Sequence, residues 1–432
     1  MLDKCIEFCA QYASNPNVVY KSCGKYVVVL EKQNDTITNE TRSGVIDPMY
    51  AKFRANKLKV LCIFSKQDPS EQTTSTTNTC YQYSIKTYTC DEIVIADDFN
   101  KNVDSICTQG IHYFKSIDAA YFYALNATSK YTGKYIRYHD DGTKSHYCEY
   151  VDGKEHGVHI KYRDDGTKSY YREYVNGKEH GGAIEWYQNG NKEVETTYFD
   201  GKLCGKYSAW YSDGQKRIEC EYINGRKSGK YSTWHQNGKL RDECDYINGV
   251  IRRKHTVHHD NGVLAVEHML VGGKIHGKYV SYHTNGVLAI ECEYIHGKID
   301  GKYVSYHTDG KIAAECEYIN GKINGQYNSW YCNGQKESEC TYVKGKKSKN
   351  YTIWSNNGNK IKEAINGKYN RWHDNGQLAC ELTFVDNHRH GKHNEYHKNG
   401  SKKLECTYYN GKKVGDYFLW RDNGELIRKK VF

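Results

Sequence analysis

A strict 24-residue spacing of glycines constrains this 432-residue chain more than any other feature of its sequence. Three glycine series keep that spacing, and they begin at Gly133, Gly142 and Gly153. The first series is interrupted by Arg253 and by Lys349, and it resumes at Gly367 after a shortened unit. Self-similarity at a period of about 20 to 50 residues is typical of stacked repeats. The sequence therefore predicts an array of small repeated units rather than one globular core.

Each unit follows the pattern G-K-Y-x-x-W-x-x-N-G-x-x-x-x-E-C-E-Y-I-N-G-K-x-x-G. Segments 302–307 and 314–319 are rich in residues that favour β-strands, and Asn320-Gly321 is a strong signal for a hairpin turn. Alternation places Cys316 on one face of the strand and Glu315 on the other. Each unit is thus predicted to be two short strands. The absence of proline after Pro69 fits a continuous sheet.

Thirteen units fill residues 133–432. The unit over residues 349–366 is six residues short, and the last unit is truncated at Phe432. A single hairpin is marginally stable in water, so the units should stack. We predict a mainly β fold: an elongated single-layer antiparallel sheet of β-hairpin repeats, about 120 Å long at the usual strand spacing.

The composition separates the repeats from the first 132 residues. All three prolines lie in residues 1–132, whereas all seven tryptophans and 36 of the 39 glycines follow. Residues 1–132 carry 14 basic and 14 acidic side chains, so the net charge of +10 belongs to residues 133–432. We therefore predict two domains, 1–132 and 133–432, and a small α/β fold for the first.

The glycine and aromatic pattern, with Tyr303, Trp330, Asn333-Gly334 and Tyr342, resembles the MORN (membrane occupation and recognition nexus) repeat in a 24-residue variant form. The resemblance covers about 300 residues. Such variant repeats occur in bacterial antitoxin-like proteins and abundantly in giant amoebal viruses. The resemblance implies an interaction module, without a particular ligand.

Every tryptophan occupies the fifth position after its unit's opening residue, where other units have tyrosine. Such regularity favours packing between neighbouring hairpins. The alternative is an aromatic stripe that binds lipid headgroups, peptide or nucleic-acid bases. The candidate binding residues are Trp186, Trp210, Trp234, Trp330, Trp354, Trp372 and Trp420.

Cysteines and histidines also recur at fixed repeat positions. Consecutive cysteines such as Cys292 and Cys316 should lie about 9.6 Å apart, too far for a disulfide or a shared zinc ion. They are predicted to be buried thiols. The histidines, among them His283 and His307, meet the same geometric objection and are predicted to lie at the surface or half-buried. No metal and no cofactor is expected.

Lysines that follow the turn glycines, such as Lys298, Lys322 and Lys346, form a basic edge. Solvated lysines that oppose aggregation are the simplest interpretation. An acidic phospholipid surface is an alternative partner, whereas a nucleic-acid partner is not expected at this charge density. The sequence contains no transmembrane segment and no secretion signal, so a cytoplasmic location is expected.

In residues 1–132 the patterns predict helices over 2–13 and 116–125 and strands over 26–30, 58–64 and 92–96. The stretch 107–120, with segments 88–99 and 47–52, resembles an uncharacterised domain of giant-virus and bacterial repeat proteins.

Cys107 and His112 are the one pair in this region that suggests a nucleophile and its base, although a buried thiol and a structural histidine are the alternative. Cys5, Cys9 and Cys23 are candidate zinc ligands, but they lack a C-x-x-C pair.

The leading hypothesis from sequence is a non-enzymatic interaction protein whose repeat array binds a protein partner. An enzymatic N-terminal domain carried on a repeat scaffold, or peripheral binding to acidic membranes, are the alternatives.

Overall fold

The computed structural model describes residues 1–78, 85–125 and 130–432. These residues form two compact structural units, each much larger than a 24-residue repeat, which we call the first unit and the second unit. The first comprises Met1–Lys216 with Tyr222–Arg226, and the second comprises Arg217–Glu221 with Lys227–Phe432. No helix among the described residues is both long and apolar enough to cross a bilayer.

The first unit begins with a small α/β region. Its main sheet has the strand order Val18–Cys23, Tyr26–Glu31, Lys57–Ser65 and Ile93–Ile95. Two separate strand pairs join Phe53–Ala55 to Ile111–Tyr113 and Ser75–Thr77 to Thr87–Thr89. Its described elements are α1 (Leu2–Cys9), a 3-10 turn (Ala10–Tyr12), β1 (Val18–Cys23), β2 (Tyr26–Glu31), β3 (Phe53–Ala55), β4 (Lys57–Ser65), β5 (Ser75–Thr77), β6 (Thr87–Thr89), β7 (Ile93–Ile95), β8 (Ile111–Tyr113) and α2 (Ile117–Phe122). The two predicted helices and three predicted strands are confirmed, and the first helix ends at Cys9, earlier than expected. The prediction missed β1 and the three-residue strands β3, β5, β6 and β8.

Apolar side chains cover both faces of this sheet. Val27 and Val29 of β2 pack with Cys5, Cys9 and the α2 residues on one side. Val28 and Leu30 pack with Leu58 and Tyr113 on the other. Because successive strand residues point to opposite faces, a run of buried valines marks a strand that is covered on both sides.

A fully buried arginine organises the loop that precedes β8. Arg54 donates from Nε to the Ser105 carbonyl at 2.7 Å and from one terminal nitrogen to the Asn100 carbonyl at 2.6 Å. Its guanidinium also lies 4.8 Å from the centre of the Phe99 ring. A buried charge is costly unless it is hydrogen-bonded, so these carbonyls fix the path of residues 98–110.

The repeats form antiparallel hairpins, as predicted. Their strands are β9 (Gly133–Tyr138), β10 (Lys144–Val151), β11 (Lys154–Tyr162), β12 (Lys168–Val175), β13 (Lys178–Trp186), β14 (Lys192–Phe199), β15 (Lys202–Leu203), β16 (Gly205–Trp210), β17 (Lys216–Ile223), β18 (Arg226–Trp234), β19 (Leu240–Ile247), β20 (Val250–His258), β21 (Leu264–Val271), β22 (Lys274–Tyr282), β23 (Leu288–Ile295), β24 (Lys298–Tyr306), β25 (Ile312–Ile319), β26 (Lys322–Trp330), β27 (Lys336–Val343), β28 (Lys346–Trp354), β29 (Lys360–Ile365), β30 (Lys368–Trp372), β31 (Leu378–Val385), β32 (His388–Tyr396), β33 (Lys402–Tyr409), β34 (Lys412–Trp420) and β35 (Leu426–Val431).

Two kinds of turn alternate along the repeats. Between β25 and β26, Asn320 and Gly321 have φ values of +51° and +78°, the left-handed pair of a two-residue hairpin turn. Between β24 and β25, the His307 amide donates to the Lys311 carbonyl at 2.8 Å, and the Gly310 amide donates to the His307 carbonyl at 2.9 Å. The mainly β prediction, hairpin repeats after a small α/β region, is confirmed.

The abridged unit shortens one hairpin. β29 has six residues where β25 has eight, and β30 has five where β26 has nine. Both losses are even numbers, two and four. Side chains alternate with a period of two along a strand, so the residues that follow each deletion keep their faces.

The first repeat turn contacts the N-terminal region within the first unit. The Ile46 and Asp47 amides donate to the Asp141 carbonyl at 3.1 and 3.0 Å, and the Lys52 amide donates to the Asp140 carbonyl at 3.3 Å. A side chain at Gly142 would collide with the Asp47 backbone. The N-terminal region therefore packs against the start of the repeats, as the terminal caps of repeat proteins do.

Most opening glycines lie in strands, whereas Gly367 lies in the turn between β29 and β30. Gly301 lies within β24 and has a φ of +98°, and the opposite strand β23 shifts register between Cys292 and Tyr294. Such irregularities need a left-handed residue, which glycine tolerates best. Arg253 replaces this glycine in β20 and still has a φ of +102°. A non-glycine residue in this region carries backbone strain.

We therefore expect Arg253→Gly to stabilise the protein by about 1 kcal/mol, because it relieves that strain. The measurement is the free energy of unfolding by denaturant. Lys349 is the matched control: it also stands at an opening position but has no positive φ. Lys349→Gly should leave stability unchanged or lower it. Equal effects of the two substitutions would contradict the strain at Arg253.

Candidate interaction surface

One face of each repeat sheet is built from tyrosines and cysteines, and we call it the tyrosine face. In the second unit, Tyr303 lies opposite Cys316, which in turn lies opposite Tyr327. The rings of Tyr303 and Tyr318 lie 5.6 Å apart. Cys316 is buried, and burial raises its pKa to about 11. The small thiol therefore fills the space between aromatic rings and stays protonated at neutral pH.

The prediction of buried repeat cysteines is confirmed, and no disulfide joins cysteines of the described residues. The buried members of the series are Cys148, Cys220, Cys244, Cys292, Cys316, Cys340 and Cys406.

The opposite face carries the tryptophans with glutamates and lysines, and we call it the tryptophan face. Lys336 forms an ion pair with Glu339, and its ammonium lies 5.6 Å from the centre of the Trp354 ring. This contact places Trp354 on the glutamate side of the sheet. Lys360 makes the same two contacts with Glu363 and Trp372.

All seven predicted tryptophans are half-buried. Lys192 lies 6.0 Å from the ring centre of Trp210 in the first unit, and Phe418 stacks on Trp420 at 5.4 Å. A lysine over an indole ring is a favourable cation–π contact. Each ring thus keeps part of its surface open to solvent while its neighbours hold its orientation.

The histidine series connects consecutive repeats, a role that the sequence reading missed. The His307 Nε2 donates to the Trp330 carbonyl at 2.7 Å, and His283 does the same to the Tyr306 carbonyl at 2.9 Å. In other repeats a tyrosine takes this position: the Tyr331 hydroxyl donates to the Trp354 carbonyl at 2.9 Å. Donor and acceptor are always 23 residues apart, and these histidines are half-buried, as predicted.

Turn asparagines form a second set of bonds between repeats. Asn285 accepts the Val287 amide at 3.1 Å within its own turn and donates to the Thr308 carbonyl of the next turn at 2.8 Å. Asn261 and Asn399 make equivalent bonds to the next turn. The signal in the sequence was the recurrence of an amide side chain, which can donate and accept at once.

In the N-terminal region, the sulfur of Cys107 lies 3.4 Å from the Lys52 ammonium and 3.8 Å from Asp140 Oδ2. Lys52 is only 4% exposed, whereas Cys107 is exposed. The His112 Nε2 donates to the Ile106 carbonyl at 3.0 Å. Burial, together with the charges of Lys52 and Lys21, lowers the pKa of His112 to about 4. The histidine is therefore neutral at pH 7 and bonded to the backbone.

The candidate zinc ligands Cys5 and Cys9 lie on the buried side of α1, and Cys23 is buried at the end of β1. Burial raises the pKa of Cys5 to about 11 and that of Cys9 to about 12. Zinc binds thiolates, so this environment disfavours a metal. In the described part of the chain, no three histidine, cysteine or acidic side chains form a cluster suited to a metal ion.

The repeats and the N-terminal region each match a known family. Residues 8–120 match a family of unknown function (DUF5758). The MORN repeat variant matches residues 203–224, 227–248, 275–296, 299–320 and 365–386. The resemblance of the repeats to MORN repeats is thereby confirmed. MORN repeats are generally protein-binding or membrane-binding motifs.

Among solved structures, alternansucrase in complex with isomaltononaose is 16% identical over 68% of this chain and 20% of its own, with a TM-score of 0.16. The TcdB2-TccC3-Cdc42 structure is 10% identical over 91% of this chain and 23% of its own, with a TM-score of 0.15. This chain therefore spans less than a quarter of either structure. No curated protein is significantly similar to it.

We expect His307→Phe to destabilise the protein by about 1 kcal/mol, because the ring keeps its volume but loses the donor to the Trp330 carbonyl. His307→Tyr should restore stability, since tyrosine makes this bond at position 331. Denaturant unfolding of the three proteins measures both effects. If phenylalanine and tyrosine were equivalent at this position, the bond between repeats would contribute nothing to stability.

The lowered pKa of His112 predicts a pH dependence of stability. An unfolded chain takes up a proton on this histidine below its ordinary pKa of 6.5, whereas the folded chain resists protonation down to about 4. Stability is therefore full above pH 6.5 and falls as the pH drops towards 4, by up to about 3 kcal/mol. His112→Gln should flatten this part of the profile of unfolding free energy against pH. Parallel profiles for the two proteins would refute the assignment.

Proposed function

We propose that this protein is a non-enzymatic interaction protein whose repeats bind a protein partner through the tryptophan face. The observation that carries the proposal is the recurrence of a half-buried indole beside a lysine and a glutamate, as at Trp354 with Lys336 and Glu339. Tryptophan is enriched among the residues that dominate binding energies at protein interfaces.

The arrangement suits recognition because its parts are already ordered. The backbone carbonyl of Trp330 accepts a hydrogen bond from the preceding repeat. A tryptophan held in this way loses little conformational freedom when a partner binds. Repetition every 24 residues offers several weak contacts to one extended partner, and linked weak contacts bind more tightly than one. The match to MORN repeats supports binding as the general role.

The charge of this face favours a protein over an acidic membrane. Face lysines pair with glutamates of the neighbouring strand, as Lys278 does with Glu291 at 2.7 Å. Paired lysines offer little positive charge to anionic headgroups. For the N-terminal region, burial lowers the pKa of His112 to about 4, which makes this histidine a weak base and argues against a cysteine–histidine enzyme.

The test uses the full chain as bait, because contacts such as Ile46 to Asp141 cross the boundary at residue 133. Trp330→Ser with Trp354→Ser removes two neighbouring indoles of the second unit. We expect this variant to lose proteins that the wild-type chain captures from lysate, and purified candidates should then bind at least tenfold more weakly, as loss of two interface anchors predicts.

Trp330→Tyr with Trp354→Tyr is the matched control, since tyrosine occupies this position in other units. It should retain most of the binding. A captured protein that binds the serine variant as tightly as the wild type would exclude the tryptophan face as the interface.

A further inference from the structure

One margin of the tryptophan face in the second unit carries exposed aliphatic and basic side chains in register. Ile319 follows Glu317 by two residues and lies beside the Asn320–Gly321 turn, directly opposite Lys322. Ile319 is 53% exposed. We call this margin the lysine rim. Its four cross-strand pairs are Val271 with Lys274, Ile295 with Lys298, Ile319 with Lys322, and Val343 with Lys346.

The rim lysines differ from the lysines of the tryptophan face in having no acidic partner. Lys230, Lys254 and Lys278 pair with Glu243, Glu267 and Glu291 at 2.6 to 2.8 Å. Within residues 227–432, all of which are described, none of the four rim lysines forms an ion pair. The positive charge of the rim is therefore uncompensated.

The stems of the rim lysines lie beside turn glycines. Lys298 Cβ lies 3.6 Å from where a side chain on Gly321 would begin, and Lys322 Cβ lies 3.5 Å from the equivalent point on Gly345. A glycine leaves space for the stem of the lysine in the preceding repeat. The rim lysines thus recur at the regular interval of the repeats.

The residues of the adjacent turns do not neutralise the rim. In the first unit, Lys178 takes the equivalent strand position and pairs with Asp200 of the next turn at 2.6 Å. In the second unit the corresponding turn residues are His296, Asn320 and Lys344. The aspartate that pairs with this lysine in the first unit is thus replaced by neutral or basic residues in the second unit.

A surface groove of about 540 Å³ follows the rim. No carboxylate lines it. Its lining residues are Lys298, Ile319, Asn320, Lys322, Asn324 and Lys344. Asp300 lies nearby and is occupied as the acceptor of the Asn320 amide at 2.8 Å.

We propose that the lysine rim binds an acidic segment of a partner protein, with carboxylates on the ammonium groups and apolar side chains on the aliphatic residues between them. This inference rests on the proposed protein-binding function and adds the chemistry of the partner. Unpaired cations at regular spacing beside exposed Ile319 and Val343 are complementary to a segment that carries both acidic and apolar residues.

Two other classes of partner fit less well. The aliphatic neighbours of the lysines offer no aromatic surface for stacking nucleic-acid bases. A membrane would meet the polar Asn320–Gly321 turn before it reached Ile319, and burying that backbone in hydrocarbon is costly. A protein segment can instead lie alongside the turns.

The spacing of the rim sets the pattern of such a segment. Successive rim lysines are two strands apart, about 9.6 Å at the usual strand spacing. A polyproline II segment advances about 9.3 Å in three residues, which brings every third side chain to the same side. The rim therefore matches a repeat of three residues.

The experiment measures fluorescence anisotropy of a labelled peptide with four Glu-Glu-Leu repeats, about 37 Å long when extended, with the full chain at low ionic strength. Lys298→Ala, Lys322→Ala and Lys346→Ala together should weaken binding about tenfold or more. The control is a second triple variant, in which alanine replaces Lys230, Lys254 and Lys278 of the tryptophan face and removes the same charge. Its affinity for the peptide should stay within about threefold of that of the wild type.

A further variant tests whether the aliphatic residues of the lysine rim contribute to binding. Ile295→Ser with Ile319→Ser should weaken binding of the Glu-Glu-Leu peptide but not of a Glu-Glu-Ser peptide of equal length. Equal weakening of the leucine peptide by both lysine triples would overturn the proposal in favour of net charge alone.

Stronger rim-dependent binding to phosphatidylcholine vesicles with roughly 30% phosphatidylserine, or to duplex DNA, would also overturn it. If the wild-type chain did not bind the peptide while its capture of proteins still depended on the tryptophans, this inference alone would be rejected.

Discussion

Pairing between consecutive strands is the interaction on which every other feature of the repeats depends. A two-residue hairpin such as Asn320–Gly321 is marginal alone, and each hairpin is completed by the next one in sequence. The backbone bonds of the ladder are supplemented in most repeats by a side chain that reaches 23 residues ahead, as His307 does to the Trp330 carbonyl. Neighbouring repeats are therefore joined through both main chain and side chain.

The abridged unit shows how strictly this pairing limits the deletions that a repeat can tolerate. The row of side chains on the tyrosine face runs from Tyr351 to Ala364 and on to Tyr369 and Leu382 in unbroken register, although six residues are missing. Losses of two and four residues keep the alternation, whereas an odd loss would turn a tyrosine to the opposite face. Arg253 keeps the left-handed conformation of the glycine that it replaces, whereas Lys349 at the same repeat position does not.

Periodic features were predictable from the sequence, and contacts between distant segments were not. Asn320-Gly321 and Cys316 could be placed because turn chemistry and strand alternation act locally. The role of His307 needed the next repeat in space, although its recurrence was visible. In the N-terminal region, nothing in the sequence predicts that buried Arg54 holds the loop before β8, or that Lys52 lies 3.4 Å from the Cys107 sulfur. Those contacts join segments about 50 residues apart, beyond the reach of local patterns.

The distribution of charge follows from the same geometry. A lysine one residue after an opening glycine lies among the glutamates of its neighbour strand, so Lys278 and Glu291 neutralise each other. A lysine after a turn glycine, such as Lys298, lies past the last glutamate of the neighbouring strand, opposite an aliphatic residue. Whether a carboxylate neutralises that lysine depends on one residue of the next turn. This residue is an aspartate at position 200, where it pairs with Lys178, and an asparagine at position 320. One scaffold can thus present a neutral or a basic margin through changes that leave every backbone bond in place.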